Sequence, residues 1–258
     1  MRKLASLTPE KVFNYFEDIC NIPHGSTNTK KISDYCANFA KTNNLEYNQD
    51  SLGNVVIKKP ATAGYENSPS VILQGHMDMV CQKDTAISNI DMETQGLNID
   101  INGDFIHANG TTLGGDDGIS VAYILSILTD DTLQHPALEA VLTVDEEIGL
   151  LGATGMDMSQ LKSKMMINID TEEEGIFTTS CAGGVSANCH LPVTFENKTG
   201  TQVTVTVSGL LGGHSGVEID KKRANGNKLM ARFLNILSQK VNFGLVTLQG
   251  GTKDNAIP

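Results

Sequence analysis

Apolar residues at helical spacing alternate with short apolar runs over the first two thirds of the chain. Val12, Phe16 and Ile19 lie on one face of a segment that opens with Thr8 and Pro9, which predicts a helix that closes by Pro23. A second amphipathic helix is predicted over residues 28–43. Four apolar runs predict strands, and the last three read as buried: residues 54–57, 70–75, 138–144 and 165–169.

Two further patterns complete the first part of the chain. Residues 98–109 predict a hairpin with its turn at Asn102-Gly103. Residues 118–128 are apolar nearly all round, which predicts a buried helix. Strands that alternate with helices predict an α/β layer fold with a mixed sheet.

The pattern changes after Gly183-Gly184. In residues 202–208 apolar and polar residues alternate, as in a strand with one face exposed to solvent. Residues 223–239 predict a helix, and residues 243–248 predict another strand. We therefore expect two domains, residues 1–184 and a separate α+β unit over residues 185–258.

Composition narrows the functional classes. The chain has 258 residues, 40% of them hydrophobic and 19% charged, as in an ordinary globular protein. Its net charge of −11 argues against nucleic acid or an anionic membrane as a partner, because both attract clustered cations. The acidity reflects either general solubility or a carboxylate cluster that binds a cation. The five cysteines form no CxxC pair and no signal peptide is visible, so we expect a cytoplasmic protein.

His76 and Asp78 come directly off the predicted strand at residues 70–75. In extended chain, positions i and i+2 point to the same side, and strand ends in α/β sheets are where ligands bind. An imidazole beside a carboxylate suits a metal ligand with a partner that orients it. Taken alone, the same pair is more typical of a capped surface histidine.

Asp116 and Asp117 end a glycine-rich loop at the start of the buried helix. An N-capping aspartate would explain them, whereas a phosphate-binding loop is disfavoured because two acids repel phosphate and the lysine of such loops is missing. Carboxylates at tight turns suit a hard or borderline cation.

Two more strand ends carry acids. Glu146 and Glu147 follow the run at residues 138–144, and Asp170 follows the run at residues 165–169. A solvated turn would explain the two glutamates, or one could bind a metal while the other acts as general base. If all four segments meet at one edge of a sheet, a centre for zinc, manganese or cobalt is predicted. The other four histidines lie outside any ligand pattern, and we expect most of them at surface or loop positions.

The motif series GHMD, LGGDDG, DEEIG, NID, GGHSG and GGTKDNAIP resembles the aminoacyl-histidine dipeptidases. These are cytosolic di-zinc peptidases related to carnosinases, peptidase T and aminoacylases. The resemblance implies an α/β catalytic domain interrupted by an inserted lid domain that often dimerises. It implies hydrolysis of dipeptides of the Xaa-His type, by water that two zinc ions activate, with manganese or cobalt as substitutes.

The resemblance also implies a role for each matching residue. The metal ligands would be His76, Asp116, Glu147 and Asp170, with Asp116 bridging both ions and a cis peptide bond to Asp117. Asp78 would orient His76, and Glu146 would be the general base. His214 would polarise the scissile carbonyl from the lid, and Asn255 would contact substrate.

One feature departs from the family pattern. The second zinc also needs a histidine from late in the catalytic domain, and no histidine follows His214. We therefore expect an amino-terminal fragment with an incomplete catalytic domain, an incomplete lid, little or no peptidase activity and poor solubility. Two other readings stay open: a related aminoacylase or tripeptidase, and an inactive fragment that binds one metal.

Overall fold

The computed structural model describes residues 2–84, 86, 89–171, 174–180, 183, 185, 187–216, 218–252 and 256–258. The chain forms two compact units, residues 1–176 and 177–258. No helix in these described ranges has the length and apolar character needed to cross a membrane.

The first unit contains a five-stranded mixed sheet in the order β1-β2-β6-β3-β7. The strands are β1 (Glu46–Gln49), β2 (Val55–Lys59), β3 (Val71–His76), β6 (Leu138–Thr143) and β7 (Met165–Asn168). Strand β3 runs parallel to both β6 and β7, whereas β2 runs antiparallel to β1 and β6. The predicted α/β class with a mixed sheet is thus confirmed. Strand β1 was not predicted, because its four exposed polar residues carry no apolar signal.

In the described part of this unit, four α-helices accompany the sheet: α1 (Glu10–Cys20), α2 (Lys30–Thr42), α3 (Gly115–Leu128) and the short α4 (Leu151–Gly155). Helix α3 contacts both α1 and β3, and the predicted buried helix is confirmed: most of its apolar residues are buried, although Tyr123 is 41% exposed. Helix α2 packs on β1 and β2. Apolar side chains from these elements form one main core, which includes Phe16, Ile32, Ile57, Leu125 and Leu142.

Glu139 is a buried acid in the central strand β6. Its carboxylate accepts hydrogen bonds from the backbone N–H groups of Lys162 and Ser163 at 2.9–3.1 Å. Burial opposes the charge, but these hydrogen bonds outweigh it and lower the pKa of Glu139 below its ordinary value.

A hairpin of β4 (Ile99–Asn102) and β5 (Phe105–Ala108) lies outside the main sheet. Asn102 pairs with Phe105, so the two turn residues are Gly103 and Asp104. The hairpin prediction is confirmed, with its turn one residue later than expected.

The prediction that β7 is buried was wrong. All four of its residues are exposed, and Met166 is 62% exposed. Strand β7 is the last strand in the order and pairs with β3 alone. Apolar composition made it a strand, but burial depends on what covers its faces, which a local run of residues does not specify.

The second unit has less regular structure than predicted. It contains β8 (Gly213–His214), which pairs antiparallel with β9 (Ala256–Ile257), and α5 (Gly226–Ser238). The helix starts at Gly226 because the Asn225 side chain caps it, accepting the Lys228 N–H at 2.9 Å.

The strands predicted at residues 202–208 and 243–248 were wrong. All of these residues are described, and none of them lies in a strand. Alternation shows only that side chains suit a sheet, whereas a strand also needs a neighbouring strand to complete its backbone hydrogen bonds.

Candidate metal centre

The candidate metal centre lies where three parallel strands end. His76 is the last residue of β3, Glu146 and Glu147 follow β6, and Asp170 follows β7. Parallel strands present their carboxyl ends at one edge of a sheet, so these side chains meet there. Asp116, in the first turn of α3, completes the group.

His76 lies at the middle of this cluster and is 1% exposed. Its Nε2 lies 3.0 Å from Asp116 Oδ1, and 3.9 Å from both Glu146 Oε2 and Asp170 Oδ2. One histidine nitrogen therefore lies within 3.9 Å of three carboxylate oxygens, and nitrogen and oxygen donors of these kinds bind zinc.

Two sets of three side chains bring their ligand atoms within 4.8 Å of one another. One set is His76, Asp116 and Glu147, and the other is Asp116, Asp117 and Asp170. Asp116 belongs to both sets, and its side chain is 55% exposed, so it is open to solvent. A carboxylate shared between two adjacent sets is the arrangement that can bridge two cations.

Asp78 connects His76 to the acidic turn. Its carboxylate accepts hydrogen bonds from Ser26 Oγ at 2.8 Å and from the backbone N–H groups of Glu146 at 3.0 Å and Glu147 at 3.3 Å. His76 Nδ1 lies 3.0 Å from the Asp78 backbone oxygen and 3.4 Å from its carboxylate. Two oxygens of Asp78 thus lie beside Nδ1 of the imidazole, while Nε2 on the other side of the ring faces Asp116.

Asp117 is buried and directed at the backbone of β3. The bond between Asp116 and Asp117 is cis, as the resemblance implied. The Asp117 carboxylate accepts the His76 backbone N–H at 3.0 Å and a hydrogen bond from the Ser120 hydroxyl. Its hydrogen bonds therefore fix the end of β3 to the start of α3.

Burial, with repulsion among the acids as a smaller cause, raises the pKa of three carboxylates in the centre. Burial raises the pKa of Asp117 to about 7, with Asp170 adding to the effect. Burial and the Asp116 carboxylate raise the pKa of Glu147 to about 6, and burial also raises the pKa of Glu146. Carboxylates crowded in this way are stabilised by a cation between them.

His76 and Asp78 shift in the directions of an ion pair. Burial disfavours the charged imidazole, but Asp78, Asp117 and Glu146 outweigh it and raise the pKa of His76 to about 10. Burial also disfavours the Asp78 carboxylate, yet hydrogen bonds from His76, Glu146 and Ser26 keep the pKa of Asp78 below its ordinary value.

Several supporting residues were missed by the sequence reasoning. Ser26 and Thr27 belong to the loop after α1, and Thr27 N–H donates to the Asp145 carboxylate at 2.6 Å. Asp145 has a left-handed backbone (φ 53°), which turns the chain between β6 and the glutamates. Ser120 supports Asp117 from the next turn of α3. Small polar residues in loops carry no pattern of their own, so only the folded chain identifies them.

The two remaining predicted site residues belong to the second unit. His214 lies in β8 and is exposed. Asn255 lies outside the described residues. Of the other histidines, His24 and His135 lie in loops, in line with the expectation of surface or loop positions, and both are buried, at 2% and 6% exposed.

Fold and site together define an α/β protein with a histidine–carboxylate cluster at the carboxyl edge of its sheet, a kind of site that binds divalent metals. The chain is 40% identical over 265 aligned residues to the cytosol non-specific dipeptidase of Escherichia coli (strain K12), covering the whole of this chain and 53% of that protein. No protein-family model matches the chain.

Solved structures of peptidases also resemble this chain. The aminoacylhistidine dipeptidase of Vibrio alginolyticus superposes with a TM-score of 0.69 at 33% identity, over 99% of this chain and 52% of that one. A tripeptidase from Staphylococcus aureus shares the fold, with a TM-score of 0.56 at 16% identity over 97% of this chain and 64% of that one. The resemblance to the aminoacyl-histidine dipeptidases is thus confirmed. The chain spans about half the length of the dipeptidases it matches.

Proposed function

We propose that this chain is part of a metal-dependent dipeptidase. The observation that carries the proposal is the cluster around His76, where Asp116, Glu147 and Asp170 converge from separate elements. Crowding several carboxylates around a buried histidine costs free energy unless a cation compensates their negative charge. The 40% identity to a protein named as a dipeptidase supports a peptide substrate.

We infer that the metal is zinc, with manganese or cobalt as substitutes. The donor set of one imidazole nitrogen and several carboxylate oxygens fits Zn²⁺. By the resemblance, His76, Asp116 and Asp170 would hold one ion, and Asp116 and Glu147 would contribute to a second. This grouping differs from the two close sets of ligand atoms, in which His76 lies with Glu147 and Asp170 lies with Asp117. A bound divalent ion would lower the pKa of a water molecule and polarise the scissile carbonyl.

Residues of this chain would carry out the proton transfer, the orientation of His76 and the contacts to the substrate. Glu146 would accept the proton of the attacking water and return one to the leaving amine, because its carboxylate faces the cluster without belonging to either close set of ligand atoms. Asp78 would keep His76 Nε2 directed at Asp116. His214 would donate a hydrogen bond to the carbonyl oxygen as negative charge develops there. Asn255 would contact the substrate.

The remaining features of the proposal concern the complete protein. Residues 1–184 would form the first half of a catalytic domain, and residues 185–258 would form part of a lid through which two copies dimerise. We propose a cytoplasmic location and dipeptides of the Xaa-His type as preferred substrates. The net charge of −11 is consistent with a partner that is neither nucleic acid nor an anionic membrane.

Metal content and a substrate panel test this proposal. Asp116→Asn is compared with Asp131→Asn, a matched change at an exposed acid after α3. We expect the wild type and Asp131→Asn to bind zinc by elemental mass spectrometry, and Asp116→Asn to lose it. Unchanged zinc in Asp116→Asn would contradict the bridging role.

The panel is run on the product of the complete reading frame and contains Ala-His, β-Ala-His, Gly-Gly and N-acetyl amino acids. We expect fastest hydrolysis of the histidine-containing dipeptides. Preference for N-acetyl substrates would favour an aminoacylase instead. Zinc binding without hydrolysis of any substrate would indicate a metal-binding protein that lacks peptidase activity.

A further inference from the structure

The loop that carries His214 is tied to an acid four residues later. Glu218 Oε2 accepts the His214 backbone N–H at 2.9 Å, and the Glu218 backbone N–H donates to the His214 carbonyl oxygen at 3.3 Å. These two hydrogen bonds tie Glu218 to both backbone polar groups of His214. The orientation of the His214 backbone therefore depends on Glu218.

The Glu218 carboxylate is itself held by two cations. Arg223 Nη2 donates to Glu218 Oε1 at 2.9 Å, and Lys221 Nζ lies 2.7 Å from the same oxygen. Arg223 also donates to the backbone oxygen of Gly212, on the other side of β8. Arg223 thus links the residue before β8 to the acid that holds His214. Hydrogen bonds from Lys221 and the His214 N–H, with the charge of Arg223, lower the pKa of Glu218 to about 2, so it is ionised at neutral pH.

The loop also fixes the proton on the His214 ring. The Gly216 backbone N–H donates to His214 Nδ1 at 3.0 Å. A nitrogen that accepts a hydrogen bond carries no proton, so the neutral ring holds its proton on Nε2. That tautomer can donate a hydrogen bond to a carbonyl oxygen from Nε2.

Gly213 makes the close approach possible. Its φ of 138° lies where residues with a side chain are strained, and a Cβ there would collide with the side chains of Arg223 and Glu218. Both side chains therefore pack directly against the backbone of β8.

We propose that Glu218 is a positioning residue for His214, and that Arg223 holds Glu218 in place. Together they hold the backbone of His214 in the position in which the Gly216 N–H keeps the ring in the tautomer with its proton on Nε2. The inference rests on the proposed function, because it assigns His214 the task of donating to the substrate carbonyl.

The first experiment identifies which nitrogen of the His214 ring carries the proton. It uses ¹⁵N NMR on histidine-labelled protein from the complete reading frame. The His214 signals are assigned by their loss in His214→Gln. We expect an Nε2–H signature in the wild type and in the matched control Asp220→Asn, an exposed acid of the same turn. In Glu218→Ala we expect averaging between the two tautomers. An unchanged signature in Glu218→Ala would overturn the proposal.

The second experiment measures kcat and KM for Ala-His hydrolysis. We expect Glu218→Ala to lower kcat about 10- to 100-fold, because small misplacements of a catalytic group cost that much, with KM changed less than about twofold. Glu218→Gln keeps an acceptor for the His214 N–H, so it should recover most of the lost kcat. Circular dichroism confirms that each variant is folded, and Arg223→Ala replaces Glu218→Ala if the latter does not fold. In that case a kcat for Arg223→Ala equal to that of the wild type overturns the proposal.

The outcomes separate this proposal from the proposed function. If His214→Gln loses activity while Glu218→Ala keeps the wild-type kcat, the positioning role is refuted and the dipeptidase stands. If the wild type with zinc hydrolyses no dipeptide, the proposed function fails, and the NMR signature then decides the positioning role by itself.

Discussion

Replacing Asp78 by alanine tests the central link of the candidate metal centre. Its carboxylate accepts hydrogen bonds from Ser26, from the backbone N–H groups of Glu146 and Glu147, and contacts the His76 ring. The change therefore removes the carboxylate that contacts one proposed ligand, His76. It also removes an acceptor that holds the turn carrying another proposed ligand, Glu147. His76 itself stays in place because its Nδ1 still faces the Asp78 backbone oxygen.

Two effects of this change have to be compared. Removing an acceptor from buried donors costs about 1–3 kcal/mol per donor left unpaired. Glu146 and Glu147 are only partly buried, so water can replace the acceptor for their N–H groups. We therefore expect the free energy of unfolding to fall by about 1–3 kcal/mol in total, which leaves the chain folded.

We expect the change to weaken metal binding measurably while the chain stays folded. Loss of a partner that orients a ligand weakens metal affinity about 10- to 100-fold, or about 1.4–2.8 kcal/mol. Zinc affinity is measured by competition with a chromogenic chelator on the wild type, Asp78→Ala, Asp78→Asn and the control Asp131→Ala. Asp78→Asn keeps one acceptor oxygen, so we expect its affinity to lie between those of the wild type and Asp78→Ala.

A clear result would refute this reasoning. If folded Asp78→Ala binds zinc within about twofold of the wild type, the orienting contact contributes nothing measurable. The Asp78 backbone oxygen would then suffice to orient His76, and the carboxylate would serve only the acidic turn.

Three further predictions concern the scaffold of the first unit. Leu142→Ala in β6, where the side chain is 0% exposed, should lower the free energy of unfolding by about 2–5 kcal/mol, whereas Leu133→Ala, 42% exposed, should change it by less than about 0.5 kcal/mol. Urea unfolding measures both. Gly152→Ala should destabilise the chain and weaken zinc binding, because a Cβ there would collide with the backbone oxygen of Val144 just before the acidic turn. Wild-type stability in that variant would show that the turn can shift. Glu139→Gln should cost stability at neutral pH: the folded pKa of Glu139 is lowered, so its contribution is present above its ordinary value of 4.5 and lost as the pH falls below it. Unfolding curves at pH 7 and pH 3 should show the gap between variant and wild type narrowing, and a gap independent of pH would contradict the role of its charge.

Local patterns predicted most of the first unit. The run at residues 118–128 is apolar on every side, and the structure buries it as α3 against α1 and β3. The runs at residues 70–75 and 138–144 form adjacent parallel strands. These features are encoded within windows of a few residues, so periodicity and composition suffice to find them.

The same local patterns failed where a neighbour decides the outcome. Residues 165–169 have the composition of a buried strand, yet β7 is exposed on both faces. Residues 202–208 alternate like a strand, yet no strand forms there. In both cases the deciding factor is another segment of chain: one that covers a face for β7, and one that completes the backbone hydrogen bonds for residues 202–208.

The sequence by itself determined which residue types occupy the three strand ends and the start of α3: His76, the two glutamates and Asp170 at the strand ends, and Asp116 at the helix. Only the tertiary structure decided which of the acidic side chains face the candidate metal centre and which accept hydrogen bonds from the backbone. It turned Asp117 towards the His76 backbone, made Asp78 an acceptor for the acidic turn, and placed Asp116 in both sets of candidate ligand atoms. The physical reason is that the chemistry of a carboxylate depends on which donors and charges lie within a few ångströms of it, and those come from segments far apart in the chain.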